Sequence, residues 1–437
     1  MMRILGLREN ELKKINGYFT CIEMINQPNL WLEGVKIIGE HKQEIQKFMD
    51  QMNSIKDLKI FLVGAGSSAK AASIVENYIR RVTKKEVHCI SSTNLITQPD
   101  NYIIGDEPVL LVSFGSSGNT IEGLEAVEIF QERCKELYQL LIICSDEGEM
   151  VKKYGAKEGV LYIPIPPGTK GKSIAATGEF TLLIQYALLL FDIQNYDYYK
   201  ELFQNASRDA ARFFDKDIYK VHSIANQPYE TIAVLGSNSL AFLAAEMCLK
   251  ITELTGGLQS SQFHSVLEFR HGPKVVMNSK TLVSFFFSRD PLTMKYEIDM
   301  LKECSEDKRK STIVAVSMDY VSEIDAHCDY YFHFNGNGFP YRDDAHIVFL
   351  YSLYLQSFSI LKAVNLGISP DTLGNNADGF INKVAQGVIF IKNEWKGEST
   401  PTHWGFLSFK KCWAPFRGRL YFCFMRFGDQ GIFHSEP

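Results

Sequence analysis

The chain has 437 residues, is 46% hydrophobic and 22% charged, and carries a formal net charge of −5. That length suits two or three domains around a large core, and the charge gives no basic surface for nucleic acid. No apolar run is expected to reach the length of a membrane span. The opening Met1-Met-Arg-Ile-Leu-Gly-Leu-Arg lacks the long apolar stretch of a secretory signal. Nine cysteines are scattered with no C-x-x-C pair, which argues against zinc and against a disulfide framework. Cys144 and Cys248 read as small core residues. A cytoplasmic protein with no membrane or nucleic-acid partner is expected.

Residues 1–55 read as a helical segment. Asn26-Gln-Pro-Asn is expected to end one helix, because proline cannot continue it, with a restart at Leu30-Trp-Leu-Glu. Trp31 reads as a packing anchor. Leu58-Lys-Ile-Phe-Leu-Val then passes through Gly64-Ala-Gly-Ser-Ser into an alanine-rich helix. This is a strand, a tight turn and a helix N-terminus, whose free N–H groups suit an anion. Pro108-Val-Leu-Leu-Val-Ser-Phe repeats the arrangement, with Gly115-Ser-Ser-Gly-Asn-Thr120 opening the helix of Ile121 to Cys134. Capping needs one hydroxyl, whereas these turns offer Ser67, Ser68, Ser116, Ser117 and Thr120. A phosphate group is the better reason for so many small donors. Neither turn is a Walker A loop or a dinucleotide fingerprint. Strands at 139–145 and 159–165 follow. The loop Pro166-Pro-Gly-Thr-Lys-Gly-Lys-Ser173 leads to an apolar helix from about Ala175 to Phe191, with Thr177 near its start as a further hydroxyl.

The pattern then recurs. Gly64 and Gly236, Ser116 and Ser288, and Ser145 and Ser317 each stand 172 positions apart, and Tyr330–Phe334 takes the fourth strand's place. Two copies of one unit in constant register imply a duplicated domain. Strands alternating with helices imply parallel sheets, with ligands beyond the strand carboxyl ends. The expected organisation is a helical segment 1–55, a first lobe 56–205, a second lobe 206–393 and an atypical tail 394–437. Ser288-Arg-Asp-Pro-Leu replaces the hydroxyl-rich turn in the second copy, so a phosphate cradle is expected in the first lobe only.

The second copy carries Lys250 and Glu253 on a helix and, within Phe263–Lys274, Glu268, Arg270 and His271 ahead of Gly272-Pro273. A salt-bridged helix end is the plain reading of such a cluster; a site at an element end is the sharper one. Ala345 to Leu361 reads as an apolar helix, and Gly367–Gly379 as a surface loop. The tail holds Trp395, Trp404 and Trp413 and shows no helical or strand period. It reads as a small appended module or as foreign sequence.

Gly64-Ala-Gly-Ser-Ser, Ser113-Phe-Gly-Ser-Ser-Gly-Asn-Thr and Glu268-Phe-Arg-His-Gly-Pro-Lys together resemble the sugar isomerase (SIS) domain family. Thr20-Cys-Ile-Glu-Met-Ile-Asn-Gln-Pro-Asn-Leu-Trp, Gly367-Ile-Ser-Pro-Asp and Asn382-Lys-Val-Ala-Gln-Gly-Val resemble its bacterial galactosamine-6-phosphate deaminase/isomerase and tagatose-6-phosphate ketose/aldose isomerase subgroup. The likeness covers about residues 10–392. It implies an α/β fold of two tandem doubly wound, flavodoxin-like lobes, a phosphorylated amino sugar as substrate, and no cofactor or metal. It implies phosphate binding by Ser67, Ser68, Ser116, Ser117 and Thr120, proton transfer between C1 and C2 by Glu253 with Lys250 beside it, and ring opening by His271. It also implies a homodimer or homotetramer whose subunits share the site. The implied reaction is hydrolytic deamination of galactosamine 6-phosphate in amino sugar catabolism. A plain aldose–ketose isomerase acting on hexose phosphates and a non-catalytic sugar-phosphate sensor are the alternatives.

Overall fold

The computed structural model describes residues 3–173 and 175–372. The 394–437 tail, the turn-rich segment past Thr372 and the Asn382-Lys-Val-Ala-Gln-Gly-Val stretch lie outside the described residues. A short hairpin and a helical turn, Glu9–Lys14, precede two helices, α1 (Tyr18–Glu40) and α2 (Lys42–Ser54). Pro28 lies inside α1 rather than ending it. Proline removes the N–H that would serve the carbonyl of residue 24. Here the Gln27 side-chain amide donates to the Met24 carbonyl at 3.0 Å and to Gln356 Oε1 at 2.6 Å. The local defect is thereby repaired, and a sequence rule about proline gives way to a side-chain substitute. Trp31 is fully buried against Phe203 and Phe349, its Nε1 donating to Thr181 Oγ1 at 3.0 Å.

The first sheet alternates with helices: β1 (Lys59–Gly64), α3 (Ser67–Thr83), β2 (Glu86–Ser91), β3 (Val109–Gly115), α4 (Ile121–Arg133), β4 (Leu137–Ile143), β5 (Val160–Tyr162) and α5 (Thr177–Phe191). All pairs are parallel, in the order β2-β1-β3-β4-β5. After α6 (Tyr196–Arg212) and a helix at Ile218–Ala225, the second sheet repeats the plan with β6 (Thr231–Gly236), α7 (Ser239–Leu254), β7 (Ser260–His264), β8 (Thr281–Phe286), α8 (Pro291–Ser305), β9 (Thr312–Ser317), β10 (Tyr330–His333) and α9 (Asp344–Asn365). Its order is β10-β9-β8-β6-β7, again wholly parallel. Each sheet thus holds five strands in doubly wound order, with the strand-order reversal beside β1 and β6. The duplication extends to register: Lys59 pairs with Val109 and Thr231 with Thr281, the same offset as the glycines. The edge strands β2 and β7 escape a hydrophobic-run search because Glu-Val-His-Cys-Ile-Ser and Ser-Ser-Gln-Phe-His are short and half polar.

One continuous core runs from α1 through α3, α5, α7 and α9 to the inner faces of both sheets. Helix α5 is buried along its whole length. Helix α9 is long and apolar enough to cross a membrane by composition, contrary to the expectation that no run would be; its apolar window is 94% buried within the fold. An all-round apolar helix fits a protein centre as well as a bilayer. Helices α3 and α7 pack against each other between the sheets. Each therefore reaches toward the carboxyl edge of the opposite sheet, which is what positions the site.

Candidate active site

Gly64 ends β1, and a methyl there would lie 2.9 Å from the Ser68 carbonyl carbon, so only glycine allows the chain to fold this tightly into α3. Gly66 follows at φ +56° and opens that helix. A side chain at this backbone angle would be strained. Ser68, Ser92, Ser113 and Thr120 surround a cavity of about 40 Å³ between this turn and the β3 turn. With ~10–15 Å³ needed per water, the space suits a few small oxygens, the size of a phosphate head.

The capping explanation for the hydroxyls is not supported. Thr120 is the N-cap of α4 and makes no side-chain capping bond, and α3 has none either. Ser117 Oγ accepts from the Asn119 N–H at 3.2 Å, a turn contact. Ser67, on the first turn of α3, stands beside Glu246 rather than in the cavity lining. Thr177, at the first position of α5, is 1% exposed and its Oγ1 has no hydrogen-bond partner. An unpartnered buried hydroxyl is costly unless something else takes it. The residue before it, Ala176, sits at φ +49° and ψ +45°, a left-handed conformation that alanine adopts only when surroundings impose it.

Lys250 is the centre of the charge arrangement. It is 3% exposed, donates to Glu253 Oε2 at 2.7 Å and lies 3.6 Å from Glu246 Oε1. Burial alone would lower its pKa, but Glu246 and Glu253 outweigh that and hold it above its ordinary value. Lys250 therefore stays an ammonium ion. Burial pushes Glu246 up, with Lys250 and Ser67 partly offsetting it. The Ser67 hydroxyl is near enough to favour the charged form, yet neither Glu246 oxygen has a hydrogen bond of good geometry. Glu179, on the first turn of α5, is pushed up to about 7 by burial and by Glu23, against the Gly171 N–H and Lys250. Glu253 is the carboxylate of this group that keeps partial access, its side chain 22% exposed. Glu23 accepts from the backbone of Lys172 and Ser173 and so ties the loop before α5 to α1.

The loop after β7 divides in two. Arg270 and Lys274 both reach Glu303 on α8 at 2.7 Å, so the salt-bridge reading holds for them. Glu268 and His271 are exposed, and His271 has no side-chain hydrogen bond or ion pair with Lys250 or Glu253 among the described residues. His264, at the carboxyl end of β7, has a buried Nε2 without a partner, and burial lowers its pKa. The chain thus brings Lys250 to Glu253, Glu246 and Glu179, and Ser67 to Glu246, and gives His271 no contact with Lys250 or Glu253 among the described residues.

A model of the SIS domain matches residues 55–190. A solved structure from Clostridium novyi NT, provisionally assigned as a tagatose-6-phosphate ketose/aldose isomerase, is 30% identical over 89% of this chain and 99% of that one, with a TM-score of 0.85. This chain belongs to the SIS family. The tagatose-6-phosphate ketose/aldose isomerase of Escherichia coli superposes on this SIS chain with a TM-score of 0.75 at 26% identity, covering 85% of this chain and 98% of that one. A curated relative, the D-galactosamine-6-phosphate deaminase of Escherichia coli O157:H7, is 29% identical over 85% of this chain and 95% of its own length.

Sequence reasoning passed over three groups at this SIS site. Ser92 Oγ is buried, unpartnered and lines the small cavity; it lies just past β2, the strand that the sequence hides. Glu246 sits one helical turn before Lys250, a spacing that was available to be read. Glu179 stands at the head of an otherwise apolar helix, and that lone charge was its signal.

Proposed function

We propose that this chain converts galactosamine 6-phosphate and water to tagatose 6-phosphate and ammonia, as a cytoplasmic homo-oligomer. The observation that carries the reading is the buried Lys250 bonded to the partly exposed Glu253, together with the buried hydroxyls of Ser92 and Thr177, which find no protein partner. The likeness to a D-galactosamine-6-phosphate deaminase across 95% of that protein gives the substrate. In this reading residues 56–205 hold the phosphate and residues 206–393 supply the proton-transfer groups. Ser67, Ser68, Ser116, Ser117, Thr120 and Thr177 receive the 6-phosphate and its neighbouring oxygens. His271 of a second copy moves a proton from O1 to the ring oxygen and opens the pyranose. Glu253 takes the proton from C2, giving an enolamine, and returns one to C1. Lys250 stabilises the negative charge that develops at oxygen. The product is an imine at C2; water adds to it, the C–N bond breaks, and ammonia leaves with a ketone in its place.

Leu258, Phe263, Leu267 and Val275, in the segment that also carries His271, are exposed apolar residues, and this exposure favours a shared site in which a second copy covers them. Plain isomerisation of tagatose 6-phosphate is the second reading, favoured by the descriptions of the two solved relatives. Coupled ammonia release from galactosamine 6-phosphate, with glucosamine 6-phosphate alongside, decides between them. Ammonia from the galacto sugar is expected. Isomerisation of tagatose 6-phosphate without ammonia from either amino sugar would establish the second reading instead. Glu253→Gln is expected to lower turnover by ~10³-fold while leaving sugar-phosphate affinity within a few fold; substantial remaining activity would assign the proton transfer to another carboxylate.

A further inference from the structure

Ser288-Arg-Asp-Pro replaces the hydroxyl turn in the second sheet, where no phosphate cradle of the first sheet's kind is expected. A cavity of about 510 Å³ opens at the carboxyl ends of β6 and β8, walled by Arg81, Asn238, Arg289, Tyr341 and Arg342 among others. Its volume lies in the ~300–1,000 Å³ range of small-molecule sites.

The internal repeat explains its position. Asn238 adopts φ +52°, ψ −122°, and Gly66 adopts φ +56°, ψ −127°. These positions are related by the same 172-residue offset as Gly64 and Gly236, and each opens the helix that follows the first strand of its sheet. The unusual turn is therefore kept in both copies, at a strained angle for a non-glycine residue in the second. The helix exchange is kept too. As α7 carries Lys250 and Glu253 to the first-sheet site, α3 carries its counterparts by the same offset, Tyr78 and Arg81, toward the second. An arginine thus stands where the first site has its carboxylate base. The second cavity lacks that base and gains a fixed cation.

Three arginines and three aspartates line the cavity, and the aspartates are the more fully engaged. Asp343 caps α9 through the Ala345 N–H and pairs with Arg81. Asp344 accepts from Ser288 Oγ and the Arg289 N–H, each at 2.7 Å. Asp290 caps α8 through Thr293. Each carboxylate is thus engaged by backbone or hydroxyl donors. The guanidinium groups are less fully engaged. Arg289 pairs with Asp319, but its Nε is buried without a partner. Arg342 lies over the Tyr198 ring at 3.9 Å and has no ion pair among the described residues. Each guanidinium offers five donors in a planar fork matched to phosphate oxygens. Asn77, Asn238 and Tyr341 supply the neutral groups that hydroxyls would meet.

We propose that this cavity is a second, non-catalytic binding site for the phosphate monoester of a sugar or polyol, held by Arg81, Arg289 and Arg342. The site is independent of whether the first one deaminates. Calorimetric titration with galactitol 6-phosphate, which has no carbonyl or amine to react, tests it alongside inorganic phosphate. The wild type is expected to bind two equivalents of the monoester per chain. Arg289→Gln with Arg342→Gln is expected to weaken one of them at least tenfold, with melting temperature and the other site unchanged; Arg342→Gln alone serves if the pair does not fold. Thr120→Val is expected to weaken the other equivalent instead. A single equivalent in the wild type, two equivalents untouched by the arginine changes, or equal affinity for inorganic phosphate and the monoester at the second site would overturn the proposal.

Discussion

Replacing Glu179 with glutamine gives a stability change whose sign and size follow from burial. The folded carboxyl titrates at about 7, against an ordinary value of 4.5. Between those two values the folded chain holds a proton that the unfolded chain has released. Stability therefore falls as pH rises from 4.5 through 7, and the full penalty stands above 7. At ~1.4 kcal/mol for each tenfold change in proton affinity, the penalty is ~3 kcal/mol. Glutamine keeps the shape and a carbonyl oxygen but cannot ionise. Glu179→Gln should therefore match the wild type near pH 4.5 and exceed it by up to ~3 kcal/mol at pH 8, a rise of several degrees in melting temperature. Glu297 and Asp209 are also pushed up by burial, to about 7 and about 6, but they are common to both proteins and cancel in the difference. Scanning calorimetry from pH 4.5 to 8.5 measures it. A wild-type-minus-variant difference that stays flat across that range would refute the reasoning, and would mean that Lys250 compensates the buried carboxylate fully.

Thr177→Val removes a hydroxyl that has no protein partner, so melting temperature should hold or rise slightly, while the KM for the sugar phosphate rises about tenfold; steady-state kinetics beside thermal melts separate the two effects. Gln27→Leu strips the donor from the Met24 carbonyl beside Pro28 and should cost ~1–3 kcal/mol, read as a lower midpoint in urea. Restoring the backbone donor in the double variant with Pro28→Ala should recover part of that loss, and no recovery would count against the repair.

Much of the architecture was legible because two copies of one pattern reinforce each other. The glycine turns, the central strands and the helices that follow them are set by local rules: apolar runs, tight turns and capping residues. What failed was local information contradicted at long range. Pro28 reads as a helix end, and only a glutamine anchored to Gln356, more than three hundred positions away, makes it tolerable. The edge strands β2 and β7 are half polar because they have one neighbour each, so their composition resembles a loop. At the candidate site, the helical pair Lys250 and Glu253 and the clustered hydroxyls of the turns stood out in the sequence, while the roles assigned to them came from the family resemblance. The burial that shifts Glu179 and Glu246 was not legible, since it depends on how α5 and α7 meet. The arginine-lined cavity was hidden for a different reason: Arg81 belongs to a helix of the other sheet.

The exchange of α3 and α7 between the sheets has a consequence for synthesis on the ribosome. The amino-terminal sheet emerges and can condense first, complete with its serine turns. At that moment Glu179 and Ser67 face a gap, because Lys250 and Glu246 have not yet been made. The charged interior closes only when α7 arrives and docks, a contact between segments nearly two hundred residues apart, of the kind that forms slowly. Until then the nascent chain exposes one wall of α3 and α5, which is where a chaperone that shields apolar surfaces would be expected to hold it.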